Sequence, residues 1–117
     1  MSDETTTVWF NPSCSKCRGA RDLLAEQGVD ATYVHYLEDA PSRAELERVL
    51  GLLGFGDPRL MMRRGEAVYG VLGLAQVDDR GALLEAMVEH PILIERPIVI
   101  RGDRAVIARP PERLLEL

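Results

Sequence analysis

The chain has 117 residues, 46% of them hydrophobic and 28% charged, with a formal net charge of −5 at pH 7. That is the size of one domain able to bury roughly two-thirds of its unfolded surface, and the composition is that of a soluble globular protein. The acidic balance speaks against a nucleic-acid partner, and no apolar run approaches the ~20 residues that span a bilayer.

Thr6-Thr7-Val8-Trp9-Phe10 is β-branched and aromatic and reads as a buried strand. The stretch Asn11-Pro12-Ser13-Cys14-Ser15-Lys16-Cys17-Arg18 then leads into a helix, with Ala20, Leu23, Leu24 and Gln27 at helical spacing and Gly28 as its stop. Thr32-Tyr33-Val34-His35-Tyr36-Leu37 reads as a second strand, which makes a βαβ unit with parallel neighbouring strands. After the loop Glu38–Pro41, Ser42 opens a helix with Glu45 completing a capping box. Leu46, Val49, Leu50 and Leu53 form its buried stripe, and Gly54-Phe55-Gly56 ends it. A short helix is expected from Asp57-Pro58, carrying Leu60, Met61 and Met62, the methionines as gap-fillers. Val68 to Val77 reads as loop or short turns. Asp78 or Asp79 caps a further helix with Leu83, Leu84, Met87 and Val88 inward, closed by Pro91. Ile98–Arg101, Gly102-Asp103 and Ala105–Ala108 give a β-hairpin signal, and Pro110-Pro111 opens a last helix with Leu114, Leu115 and Leu117 apolar. The order β-α-β, helices, β-β-α is an α/β, thioredoxin-like layout with a four-stranded mixed sheet. It predicts a single domain over 1–117 with a helical insertion at about 42–91.

The two cysteines carry the chemistry. Cys14 falls where a helix begins, so unpaired backbone N–H groups and the positive end of the dipole favour its thiolate, the nucleophilic form. Cys17 is one turn further on the same face and can form a disulfide with it. A lone cysteine would read as a small buried hydrophobe. A structural zinc site needs about four ligands, and His35 and His90 each stand alone, so no metal is expected. The polar start Met1-Ser2-Asp3-Glu4-Thr5 is unlike a signal peptide. A cytoplasmic location follows, where paired cysteines are catalytic or sensing rather than structural.

Thirteen arginines accompany one lysine, Lys16. Guanidinium suits bidentate capture of oxyanions. Most of these arginines, Arg43, Arg48, Arg80, Arg104 and Arg113 among them, read as solvated surface charges. Arg96 and Arg109 stand next to prolines at strand ends, where a side chain can be held rigidly. Arg64 diverges from Arg63 by about 100 degrees on a helix, so one of the two faces any given site.

Asn11-Pro12-Ser13-Cys14, Tyr36-Leu37-Glu38 with Pro41-Ser42-Arg43, the block His90 to Ile100, and Arg109-Pro110 resemble the glutaredoxin-coupled arsenate reductase family, in the family's order from about Val8 to the C-terminus. The resemblance implies that Cys14 attacks arsenate and forms a covalent arsenical adduct. It also implies that Arg63, Arg96 and Arg109 shape the oxyanion site and that Pro97 is a cis-proline. No bound cofactor is implied. Glutathione with glutaredoxin, or thioredoxin, is the external reductant, and the protein is expected to be a monomer.

Two departures from that pattern stand out. Members of the glutaredoxin-coupled family place a serine where this chain has Cys17, so Cys17 gives Cys14 a built-in resolving partner. Related proteins with a C-x-x-C here include redox-sensing regulators of the Spx type that bind RNA polymerase, which is one alternative function; a family member without arsenate activity is the other. The family's histidine shortly before Asn-Pro is also missing, with Trp9 and Phe10 in its place. Apolar neighbours raise a thiol pKa, which leaves activation to the helix terminus, Lys16, Arg18 and the arginines. His35, His90, Trp9, Tyr33 and Tyr36 read as packing, surface or helix-end residues.

Overall fold

The computed structural model describes residues 5–117; the polar start at Met1–Glu4 lies outside the described residues. They form two compact units, one of residues 5–39 with Arg96–Leu117 and one of Ala40–Glu95.

The first unit is built on a four-stranded sheet in the order β2-β1-β3-β4. β1 (Thr6–Trp9) runs parallel to β2 (Ala31–Val34) and antiparallel to β3 (Ile98–Arg101), which pairs antiparallel with β4 (Arg104–Ile107). α1 (Ser15–Glu26) makes the crossover between the parallel strands, as that pairing requires. The two central strands are the most buried: Val8 and Trp9 on β1 and Ile98, Val99 and Ile100 on β3 are shielded from solvent. Val8, Val99 and Val106 of the sheet pack with Cys17, Ala20 and Leu24 of α1 and with Leu114. Each large side chain so buried contributes about 1.5–3 kcal/mol of hydrophobic stabilisation.

Two glycines set close geometry in this unit. Gly102 has φ 59 at the first central position of the β3–β4 hairpin, the type II′ pattern whose twist matches paired strands. At Gly19 an added Cβ would lie 3.0 Å from Pro111 Cγ. Hydrogen there lets α1 approach the last segment, a 3₁₀ helix over Pro111–Glu116. That segment buries Leu114 and leaves Leu115 exposed, so the apolar face expected there is narrower than the sequence suggested.

β2 stops at Val34, three residues short of the expected end. The His35 carbonyl accepts from the N–H groups of Glu38 and Asp39, which turns the chain off the sheet edge. Tyr36 is thus fully buried although it lies outside the strand.

In the second unit α2 (Arg43–Leu53) starts with the expected capping box. Glu45 N–H donates to Ser42 Oγ at 3.1 Å and Ser42 N–H to Glu45 Oε1 at 3.0 Å. Leu46, Val49 and Leu50 are its buried stripe, and Leu53 is half-buried. A 3₁₀ turn follows at Pro58–Met61, then α3 (Ala67–Val71), a helix inside the stretch read as loop, and a 3₁₀ turn at Leu74–Gln76. Arg59 organises these turns. Its Nε donates to the Leu74 carbonyl at 3.1 Å, and its guanidinium also bonds the Val77 carbonyl and Asp57. α4 (Arg80–Glu89) is capped by Asp79, which accepts from Gly81 N–H, and buries Leu83, Leu84 and Met87. No helix among the described residues is long and apolar enough to cross a membrane.

The sheet and its helices form a thioredoxin-like α/β fold, as the order of elements predicted.

Candidate active site

The link from β1 to α1 is tied by its own backbone. Ser13 N–H donates to Asn11 Oδ1 at 3.0 Å and Cys14 N–H to the Asn11 carbonyl at 3.0 Å. Arg18, one turn into α1, donates to the Pro12 carbonyl at 2.9 Å. Arg18 therefore braces the loop, a different task from the thiol activation expected of it.

Cys14 is the N-cap residue of α1, with extended φ and ψ, and the amides of Cys17 and Lys16 act on its sulfur. Both cysteines are free thiols and both are buried, Cys17 completely. Burial of the Cys14 sulfur opposes ionisation. Against it act the Cys17 amide, the Arg96 guanidinium, the Cys17 thiol and the Lys16 amide, which together bring the pKa from 9.0 down to about 7. Cys17 moves the other way, pushed up to about 12 by burial first and then by the negative sulfur of Cys14, although the Asn11 amide and Arg96 partly offset this. The pair is thus split into an ionisable sulfur and a neutral thiol that donates to it.

Two guanidinium groups attend the ionisable sulfur. Arg109 Nη1 stands 3.9 Å from Cys14 Sγ and makes its firmer bond, 3.0 Å, to the Arg96 carbonyl. Arg96 acts on the ionisation of both cysteines. The Arg96–Pro97 and Arg109–Pro110 peptide bonds are both cis. Phe10 is buried in the same apolar cluster as Cys14 and Cys17. Its ring meets Tyr33 edge-on at 5.2 Å and lies 5.8 Å from the His35 ring, with the Arg21 guanidinium 5.9 Å from its centroid.

Arg63 belongs to the second unit. There it is half-buried, its N–H donating to the Leu93 carbonyl at 2.6 Å and its guanidinium 3.8 Å from Glu66. Arg64 beside it is exposed. Among the described residues no group of three or more His, Cys, Asp or Glu could hold a metal ion.

From the sequence alone Tyr36 reads as a packing residue. Its hydroxyl oxygen and the Nε of Arg96 are buried and neither makes a hydrogen bond of good geometry among the described residues. Leaving such a group unpaired costs ~1–3 kcal/mol. Burial first, then the two sulfurs, Cys17 once it ionises at high pH and Cys14, push the phenol up to about 12, while the charge of Arg96 and its hydrogen bond to the phenol oxygen oppose the rise. An aromatic residue in a strand-like run gives no sign of this; the unpaired hydroxyl is what separates it from a phenylalanine.

Comparison with known proteins gives this arrangement a context. The model of the ArsC family matches residues 9–117. The chain belongs to the ArsC family. An arsenate reductase of Neisseria meningitidis serogroup A is 42% identical over 108 residues, 92% of each chain. The uncharacterised Escherichia coli protein YfgD is 43% identical over 111 residues, covering 94% of this chain and 93% of its own. The solved arsenate reductase from Vibrio cholerae superposes with a TM-score of 0.94 at 42% identity, covering 98% of both chains. The match to the ArsC model begins within β1, so it includes the whole loop that presents Cys14.

Proposed function

We propose that this chain is an arsenate-reductase-type thiol oxidoreductase whose nucleophile is Cys14. The observation that carries the reading is the Cys14 sulfur, at the start of α1, brought to a pKa of about 7 beside Arg96 and Arg109. Attack of a thiolate on an arsenate monoanion is opposed by like charge, and guanidinium groups around the sulfur offset that repulsion and hold the oxygens. Arg63 is assigned as a third oxyanion ligand through the family pattern. In the first step an S–As bond forms and one arsenate oxygen, taking up protons, leaves as water.

The second step assigns Cys17 as the resolving thiol. Cys17 loses its proton and attacks Cys14 sulfur; an S–S bond forms and the S–As bond breaks. The electron pair of that bond stays on arsenic, which leaves as arsenite, reduced from As(V) to As(III). Once Cys14 is bonded to arsenic it no longer carries the charge that opposes Cys17 ionisation, so the first step eases the second. Thioredoxin, or glutathione with glutaredoxin, then returns two electrons to the disulfide. The enzyme acts in the cytoplasm as a monomer and needs no bound cofactor. The Spx-like regulator reading uses the same thiol pair but assigns no task to Arg96 or Arg109.

The test is NADPH-coupled arsenate turnover with each reductant system. Turnover is expected in wild type and absent in Cys14→Ser. Failure of wild type with both systems at saturating arsenate rejects the reading.

A further inference from the structure

The site holds two donors with nothing to donate to. A phenol carries one O–H donor, and a guanidinium carries five N–H donors and no acceptor. Tyr36 Oη and Arg96 Nε are both buried and neither makes a hydrogen bond of good geometry among the described residues, although the Arg96 guanidinium is close enough to act on the phenol oxygen both by its charge and as a hydrogen-bond donor. Were Tyr36 to accept from Arg96, its own proton would still lack an acceptor. Arg96 cannot supply one. The Cys14 sulfur, the nearby anion, already faces the Cys17 thiol, two backbone amides and Arg109. If the ring served only to fill space, phenylalanine would fill it equally well and leave no hydroxyl unpaired.

An incoming group rich in acceptor oxygens would complete both donors at once. We propose that the Tyr36 hydroxyl is a further substrate-binding donor of this site, hydrogen-bonding one oxygen of the tetrahedral oxyanion that Cys14 attacks, with Arg96 Nε donating beside it. The phenol stays protonated throughout the neutral range, so it remains a donor wherever Cys14 is a nucleophile. An anion oxygen held between phenol and guanidinium is also where negative charge accumulates as the sulfur adds to the central atom. The inference rests on the oxidoreductase reading and adds to it a neutral donor for the oxyanion beside the guanidinium groups.

The experiment is Tyr36→Phe, which removes the hydroxyl alone. Two readouts are compared with wild type: kcat/KM for arsenate in the coupled assay, and protection of Cys14 from iodoacetamide by inorganic sulfate. Loss of a hydrogen bond to a charged acceptor predicts a fall on the order of tenfold to a hundredfold in kcat/KM and a similar weakening of sulfate protection. The pH midpoint of Cys14 alkylation without sulfate should stay in place and the melting temperature should change little, because the hydroxyl proton has no acceptor to lose. Equal protection and equal kcat/KM in the variant overturn the assignment of Tyr36 while wild-type turnover keeps the oxidoreductase reading. A lower melting temperature with unchanged sulfate protection assigns the hydroxyl to structure and overturns it too. If wild type neither turns over arsenate nor is protected by sulfate, both readings fall together.

Discussion

Replacing Arg96 with glutamine removes the cation that acts on both sulfurs while keeping an amide of similar reach. In wild type the Cys14 midpoint at about 7 makes about half of the sulfur thiolate at pH 7, against about one part in a hundred for a thiol at 9.0. A neighbouring opposite charge is worth 1–3 units. Taking about one unit for Arg96, the midpoint moves to about 8 and the thiolate fraction at pH 7 falls roughly fivefold. The remaining thiolate becomes more nucleophilic, by about threefold per unit at a Brønsted slope of ~0.45. The rate at pH 7 then drops only about twofold, and the high-pH plateau rises about threefold. The midpoint is therefore the decisive readout, measured from iodoacetamide alkylation of Cys14 between pH 5 and 10, with mass mapping to exclude Cys17. A wild-type midpoint near 9, or a midpoint that Arg96→Gln leaves unmoved, would refute the account of thiol activation.

Cys17→Ser removes the internal resolving thiol: thioredoxin-supported turnover is expected to vanish and glutathione–glutaredoxin turnover to persist, read in the two coupled assays. Retention of both would show that Cys17 does not resolve the adduct. Stability should also track the two thiols and Tyr36. Cys14 has a depressed folded pKa, so between about pH 7 and 9 the unfolded state binds more protons and stability rises with pH. Cys17 and Tyr36 have raised pKa values, so what they contribute is complete below about 9 and 10 respectively and is lost as pH climbs towards 12. Denaturant unfolding of wild type against Cys14→Ala checks the first half: the gap should widen from pH 7 to 9, and a constant gap would contradict it.

What could be read from the sequence was what local chemistry dictates. Ser42 and Glu45 announce a helix start because each satisfies the other's backbone N–H, and Gly102 announces a turn because it reaches positive φ freely. The C-x-x-C at the head of α1 was legible for the same reason, since N-cap position and dipole are properties of a few adjacent residues. Illegible features depend on distant ones. β2 ends at Val34 because the His35 carbonyl takes two later amides, which the β-rich run Thr32–Leu37 hides. α3 forms across a stretch containing Gly70, where Arg59, some fifteen residues earlier, bonds the carbonyls of the following turns. Arg18 was assigned to the sulfur from proximity in sequence, yet its guanidinium reaches back to Pro12. Tyr36 went unrecognised because pairing of a hydroxyl is a question about the whole surrounding space.

The bond from Arg109 to the Arg96 carbonyl has a bearing on how an anion would be met. A free arginine sweeps many rotamers, and immobilising it at the moment of capture costs up to ~2 kcal/mol. Here that restriction is in place beforehand, since one nitrogen of the fork is moored to the main chain and the same nitrogen hangs over the nucleophile. Lysine at this position would keep the positive sign yet surrender the mooring. The strength of encounter at residue 109 is thereby a matter of fixed geometry more than of charge.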